Sequence, residues 1–237
     1  MGTAGWSVAR TEAEQFPAEG TGLERYSGRF DCAEINSSFH RSHRAETWDR
    51  WAGSVPEDFR FSVKLAKTIT HQQRLIDCEP LLDLFLEEAA RLGPKLAIIL
   101  IQLPPSLSFD SSVASAFFDA LRSRTPVRLA CEPRHASWFE EEADRLLQER
   151  EIARVAADPA RVEAAAIPGG WRGLAYYRLH GSPVPYRSSY DDGRLEAYAE
   201  RMAADLDRDL WCIFDNTASS AATGDALKLQ RLLAART

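Results

Sequence analysis

Apolar residues along this chain fall into two alternating rhythms. Eight short runs carry them continuously or at every second position, at 3–7, 30–36, 59–64, 96–102, 127–132, 152–158, 174–180 and 210–216, which is the signature of strands. Between the runs, apolar positions recur three and four apart, as in Leu81, Leu82, Phe85, Leu86 and Ala89. That spacing predicts helices over 45–52, 79–92, 113–123, 140–150, 194–208 and 221–235. A first helix is interrupted by Pro17 and Gly20, and a sixth, near 162–166, is short and alanine-rich. The punctuation agrees. Gly93-Pro94 stops the third helix, Asp110 or Ser111 can cap the fourth, and Pro104-Pro105 forces an extended turn after Gln102. Strands alternating with helices imply parallel strands joined by crossover helices, and eight of them close most readily into a barrel. The expected fold is α/β, a single (β/α)8 TIM-type barrel over residues 1–237 as one domain.

The polar positions then become informative. The second run ends in Glu34 and Asn36, the third in Lys64, the fourth in Gln102 and the fifth in Glu132. The sixth ends in Asp158, the seventh in Arg178 and His180, and the eighth in Asp215 and Asn216. Side chains alternate between faces along a strand, so Tyr176, Arg178 and His180 share one face, as do Cys32, Glu34 and Asn36. Loop ends without a role favour Ser, Gly, Thr and Pro. Ionisable groups crowded at one rim need a ligand or one another, and barrels place their chemistry at that rim.

The loops extend this set. Trp6 follows the first run, and Thr70-His71 follows the third. Arg134, His135 and Trp138 follow Glu132 in EPRHASW. HGSPVPYRSSY, with His180, Tyr186, Arg187 and Tyr190, suits a folded-over lid bearing planar rings. DNTASSAATGDAL leads into the last helix, whose first N–H groups could hold phosphate.

Composition narrows the field. A net charge of −6 argues against wholesale wrapping of nucleic acid. No apolar run approaches a membrane span, and MGTAGWSVAR lacks the pattern of a secretory signal. Cys32, Cys78, Cys131 and Cys212 form no C-x-x-C pair, and buried reduced thiols in a cytoplasmic protein are expected. Nucleophile-elbow, P-loop and zinc-binding motifs do not occur. No cofactor is expected; were a divalent metal bound, its ligands would be dispersed among Glu34, Glu132, Asp158, His180 and Asp215.

The blocks GTAGWS, RFDCAEINSSFHR, FRFSVKLAKTITH, LGPKLAIILIQLPPSLSF, EPRHASW, YYRLHGSP and WCIFDNTASSAA, running from Gly2 to Ala222, resemble the YecE-like family, a domain of unknown function numbered 72. The resemblance implies a TIM-barrel-like fold and no particular reaction. His40 departs from the family pattern, where tyrosine is commoner.

The reading these residues favour is an enzyme using general acid–base chemistry on a small anionic or phosphate-bearing substrate. Glu34, Glu132, Asp158, His180 and Asp215 are its candidate acids and bases. Trp6, Asn36, Lys64, His71, Gln102, Arg134, Arg178, Tyr190 and Asn216 are its candidate binding groups. Lys64 would neutralise the anion or, if buried and neutral, form a Schiff base; the first is favoured. Two other readings stand beside it. One is a nucleic-acid-binding or phosphodiester-processing barrel, with Lys64, Arg134, Arg178 and Arg187 on phosphates and Trp6, Trp138 and Tyr190 stacking on bases. The other is a sensor that binds a small molecule without turning it over. No protein partner is indicated.

Overall fold

Parallel strands dominate the computed structural model, which describes residues 1–205 and 208–236. Its strand segments are β1 (Gly2–Ala4), β2 (Cys32–Ile35), β3 (Arg60–Lys64), β4 (Leu96–Gln102), β5 (Arg128–Glu132), β6 (Ile152–Arg154), β7 (Ala156–Asp158), β8 (Gly169–Gly170), β9 (Leu174–Leu179) and β10 (Asp209–Phe214). They form one sheet in the order β7-β9-β10-β1-β2-β3-β4-β5-β6-β8. β6 and β7 are halves of one extended run broken at Val155, whose N–H still donates to Cys131 O at 2.8 Å. β6 pairs with β5 while β7 pairs with β9, so this run brings the two ends of the sheet together. The result is a nearly closed, barrel-like sheet, as expected.

An exact repeat of eight β/α units is not kept. The sixth run is split, and β8 adds a short antiparallel pairing to β6. A 3-10 turn at Glu163–Ala166 replaces the sixth helix. The α-helices among the described residues are α1 (Gly22–Ser27), α2 (Ala45–Gly53), α3 (Glu79–Ala89), α4 (Ser111–Arg122), α5 (Glu141–Glu149), α6 (Asp192–Ala203) and α7 (Ala221–Ala234). α3 gives way to a 3-10 turn in which Gly93 takes φ 56°, the left-handed stop anticipated there. Asp110 caps α4, accepting from Val113 N–H at 3.0 Å. The predicted extension of the sixth of these helices to 208 crosses 206–207, which lie outside the described residues. None of the described helices is long and apolar enough to cross a membrane.

Alternation sorts each strand onto two faces. Ile98, Leu100, Ala130, Val155, Tyr176 and Ile213 meet inside the ring. Phe61, Val63, Ile99, Ile101, Tyr177 and Phe214 face outward and pack beneath the helices. Each such Leu, Ile or Phe contributes roughly 1.5–3 kcal/mol by burial. The lower ring is therefore filled with side chains, with the Arg128–Asp209 ion pair at the first residues of β5 and β10, and the buried polar groups gather at its upper, C-terminal end.

Candidate functional site

The inward parity that buries Ile98 and Leu100 continues up each strand into polar residues. It delivers Glu34 from β2, Ser62 and Lys64 from β3, Gln102 from β4, Glu132 from β5 and Tyr176 and Arg178 from β9, all buried. His180 and Asp215 follow directly after β9 and β10. Arg178 is the hub and is fully buried. Its Nη2 donates to Glu34 Oε1 at 2.6 Å and its Nε to Glu34 Oε2 at 3.1 Å, a two-pronged contact. Nη1 donates to Glu132 Oε2, and Nη2 also reaches Asp215 Oδ2 at 3.0 Å. Tyr176 supports Glu34 from below, donating to Oε2 at 2.7 Å, with Ser62 Oγ 2.9 Å from the same hydroxyl.

Around this hub the charges are interlocked. His180 Nδ1 lies 3.0 Å from Asp215 Oδ2. Its Nε2 is 3.3 Å from Glu132 Oε1, yet buried without the alignment of a hydrogen bond to any group. Arg134 Nε donates to Glu132 Oε1 at 3.0 Å, and its Nη2 lies 3.3 Å from the Tyr186 hydroxyl. Lys64 Nζ sits 4.3 Å from the centroid of the Phe39 ring. Edge-on to the same ring, at 5.0 Å, is the imidazole of His71.

These contacts set the protonation states. Burial pushes the Glu132 carboxyl up, but Arg178, His180 and Arg134 outweigh it and hold it well below the ordinary range. Burial likewise opposes ionisation of Asp215, and Arg178 and His180 again win, leaving its pKa lowered. For His180, burial works downward while Glu132 and Asp215 work upward and prevail, so the imidazole is raised above its usual value. Burial, then Arg178, lower Lys64 to about 8. Burial, with Lys64 and Arg134, lowers His71. Glu132 and Asp215 are thus fixed anions, and the groups of this cluster that titrate nearer neutrality are His180, His71 and Lys64.

A cavity of about 430 Å³ opens against this cluster, bounded by Glu132, Arg134, Ala157, Arg161, His180 and Tyr186. Its cover is the segment after β9. Gly181, at φ 94°, turns the chain immediately beyond His180; a Cβ there would lie 2.6 Å from Ser188 O. The returning loop sets Tyr186 edge-on over His180, ring centroids 5.5 Å apart. Asp225 of α7 pins the loop, accepting from Ser189 Oγ at 2.5 Å, Tyr190 N–H at 3.1 Å and Asn216 Nδ2 at 2.7 Å.

Several expected site residues lie elsewhere. Asp158 has outward parity and is gripped by Arg194 Nη2, 3.0 Å from each carboxylate oxygen. Asn216 binds the lid from beneath through Asp225 and Ser188 O. Tyr190 is buried against Phe214 and Tyr198, its hydroxyl accepting from Gly181 N–H at 2.9 Å. Trp6 packs on Trp51 and Phe61 because the chain turns at Gly5, φ 74°, right after β1. Asn36 leaves strand parity as well, since the 3-10 turn Ser37–Phe39 begins beside it. Trp138 is buried, donating to Leu107 O at 3.0 Å. Trp138 and Tyr190 are buried and present no ring for base stacking of the kind expected. In the turn before α7, Ala218 N–H donates to Tyr186 O, and Ala222 N–H, in the first turn of the helix, donates to Asn216 O.

Ser62, Tyr176, Tyr186 and Arg161 join the site beyond the candidate set, although Tyr176 was expected on the face of Arg178 and Tyr186 in the lid. The first two stand two places before Lys64 and Arg178, so parity alone could have found them. No group of three or more His, Cys, Asp and Glu side chains among the described residues is arranged to hold a metal ion. The acidic residues converge instead on a guanidinium.

Fold and cluster together define a barrel protein with an ionic network at the C-terminal ends of its strands. The chain belongs to the family described as Protein of unknown function DUF72, whose sequence model matches residues 1–237. UPF0759 protein YecE of Escherichia coli (strain K12) is 32% identical over 151 residues, 61% of this chain and 55% of that protein. UPF0759 protein YunF of Bacillus subtilis (strain 168) is 27% identical over 145 residues, 59% of this chain and 51% of that protein. The matched segments thus span about half the length of these curated relatives. The crystal structure of a DUF72 family protein from Enterococcus faecalis V583 is similar with a TM-score of 0.82 at 20% identity, covering 98% of this chain and 94% of that one. Another, from Thermotoga maritima MSB8, gives 0.78 at 22% identity over 98% and 97%. At those identities the likeness shows the fold.

Proposed function

We propose that this protein is an enzyme that moves a proton on a small anionic substrate, phosphate-bearing compounds being the class that suits the cavity best. The observation that carries the reading is His180. It is a buried imidazole at the cavity wall, held by Asp215 through Nδ1, with Nε2 lacking any aligned partner. A positioned, charged imidazole of this kind is an acid in waiting. Arg134 and Arg161 line the same cavity and supply positive charge for the substrate's anionic end.

In this reading Glu34 holds Arg178, and the carboxylates Glu132 and Asp215 do not exchange protons. They fix Arg178 and His180 in place and keep them charged, and Asp158 serves α6. Gln102, buried and inward-facing on β4, is left to orient the substrate. A reducing, cytoplasmic setting belongs to the same proposal, supported by four unpaired, buried cysteines.

The test is a thermal-shift screen of small phosphorylated and carboxylated compounds, followed by mass analysis of the hits after incubation in D₂O. A hit should exchange a carbon-bound hydrogen for deuterium, and His180→Asn should slow that exchange by about 10²-fold or more. Exchange that survives His180→Asn unchanged overturns the assignment. Binding without exchange identifies a sensor and overturns the catalytic claim.

A further inference from the structure

We propose that Lys64 is a nucleophile that condenses with the carbonyl carbon of a small anionic aldehyde or ketone to form an imine at the rim. The inference rests on the reading above only for the substrate's charged end, which the cavity beside Arg134 would hold.

The chain has four lysines, Lys64, Lys67, Lys95 and Lys228, and their surroundings separate them. Lys95 donates to Ala52 O and Val55 O, each at 2.7 Å, closing the C-terminal end of α2. Lys228 is exposed and pairs with Asp192 at 3.0 Å. Lys67 lines a different groove with Leu81, Leu84 and Phe85. Lys64 alone is buried at the polar rim, 8% exposed, and among the described residues no oxygen accepts from its Nζ.

The reason is that the nearby carboxylates are already engaged. Both oxygens of Glu34, one of Glu132 and one of Asp215 accept hydrogen bonds from Arg178, and the other Glu132 oxygen accepts one from Arg134. What remains against Nζ is the face of Phe39. The side chain is largely buried and its ammonium finds no protein acceptor, which disfavours the charged form relative to a neutral amine. The charged groups that act on Lys64 are Arg178, Glu132, Glu34 and Asp215, with His71 beside it on Phe39. Burial and Arg178 prevail, and with a pKa of about 8 the amine has a neutral fraction at pH 7 on the order of a hundredfold above that of an ordinary lysine.

The step balances without any oxidant or reductant. The Nζ lone pair makes the new C–N bond as the carbonyl oxygen takes up a proton, giving a carbinolamine. The C–O bond then breaks with its electron pair, the nitrogen closes the C=N bond, and oxygen leaves as water, the two protons it gains balancing the two the amine gives up. His180, charged and on the same rim, would supply the proton that the oxygen takes up. His71, held toward its neutral form and in contact with the same Phe39 ring, is placed to accept one.

The experiment exposes the full-length protein, K64R and K67R to pyruvate, glyoxylate or dihydroxyacetone phosphate with sodium cyanoborohydride. Intact mass and peptide mapping then locate the reduced adducts. One adduct should form at Lys64, at least roughly tenfold faster than at Lys67 or Lys228, and faster as pH rises through about 8. It should persist in K67R and vanish in K64R. Circular dichroism establishes whether K64R is folded; if it is not, the wild-type peptide map decides alone. Adducts spread evenly over the lysines, or unchanged in K64R, overturn the proposal. Inorganic phosphate titrated into the same samples separates the two readings. Stabilisation by phosphate with no Lys64 adduct overturns the imine and leaves the anion cavity standing. A Lys64 adduct with no phosphate effect overturns the cavity and leaves the imine.

Discussion

Two neighbouring strands carry arginine–carboxylate assemblies that face opposite ways. Arg178 on β9 points into the ring, where Glu34, Glu132 and Asp215 surround it away from solvent. Asp158, at the end of β7, points outward to Arg194 of α6, whose side chain is 39% exposed. The registers are adjacent, with Ala157 opposite Arg178 and Asp158 opposite Leu179. One step along the strand therefore separates a cavity wall from a helix clamp. A charge at a strand end becomes part of a site only when its parity is inward. Energetically the two assemblies belong to different regimes, because the inner charges have given up their water and depend on one another for compensation, whereas the outer pair is partly screened by solvent.

The largest effect should come from breaking the inner assembly. Arg178→Met leaves buried carboxylates without a counter-charge and should cost about 3–5 kcal/mol in a urea unfolding experiment. Retention of wild-type stability would mean that the carboxylates simply take up protons and the network has little structural weight.

Acid is a gentler way to attack the same region. Glu132 and Asp215 have lowered native pKa values, so their stabilisation is present above the ordinary carboxylate range and is lost as pH falls through the native values. The raised pKa of His180 has the opposite sign. Its contribution is complete below about pH 6.5, the unfolded value, and disappears as pH rises through the native one. The stability difference between wild type and His180→Asn should accordingly shrink with rising pH; a difference that grows would reverse the assigned charge.

Removing the Tyr186 hydroxyl tests the cover. Tyr186→Phe takes away one partner of Arg134 and should weaken anion binding by about 0.5–1.5 kcal/mol. Smallest of all, Arg194→Ala and Asp158→Asn should each change stability by about 1 kcal/mol or less and leave ligand binding alone.

Most of the barrel could be read from the chain because each strand advertises itself through period-two alternation and a Gly, Pro or cap residue at its ends. The split at Val155 could not, since 152–158 reads as one strand-like run whose two halves differ in the partner they find. At the rim, Glu34, Lys64, Glu132, Arg178, His180 and Asp215 were identifiable as polar tops of apolar faces. Asp158 was grouped with them by its place at a strand end, against its parity. Asn36 and Trp6 have local turns that end parity before it can be applied. In the lid the loop was recognisable but the choice of ring was not. Tyr186 takes φ 68° and covers His180, while Tyr190, four residues on, is drawn inward by Asp225 and Gly181. That Lys64 lacks an acceptor depends on how Arg178 occupies the nearby carboxylates, and no spacing in the sequence records it.

The contrast between the two faces is tested most directly by calorimetric titration of inorganic phosphate into wild type, Arg134→Ala and Arg194→Ala. Wild type should bind at one saturable site, Arg134→Ala should weaken that binding by about tenfold or more, and Arg194→Ala should leave it within about twofold. Absence of saturable binding in wild type, or equal losses in the two variants, would contradict an anion site on the inner face of the rim.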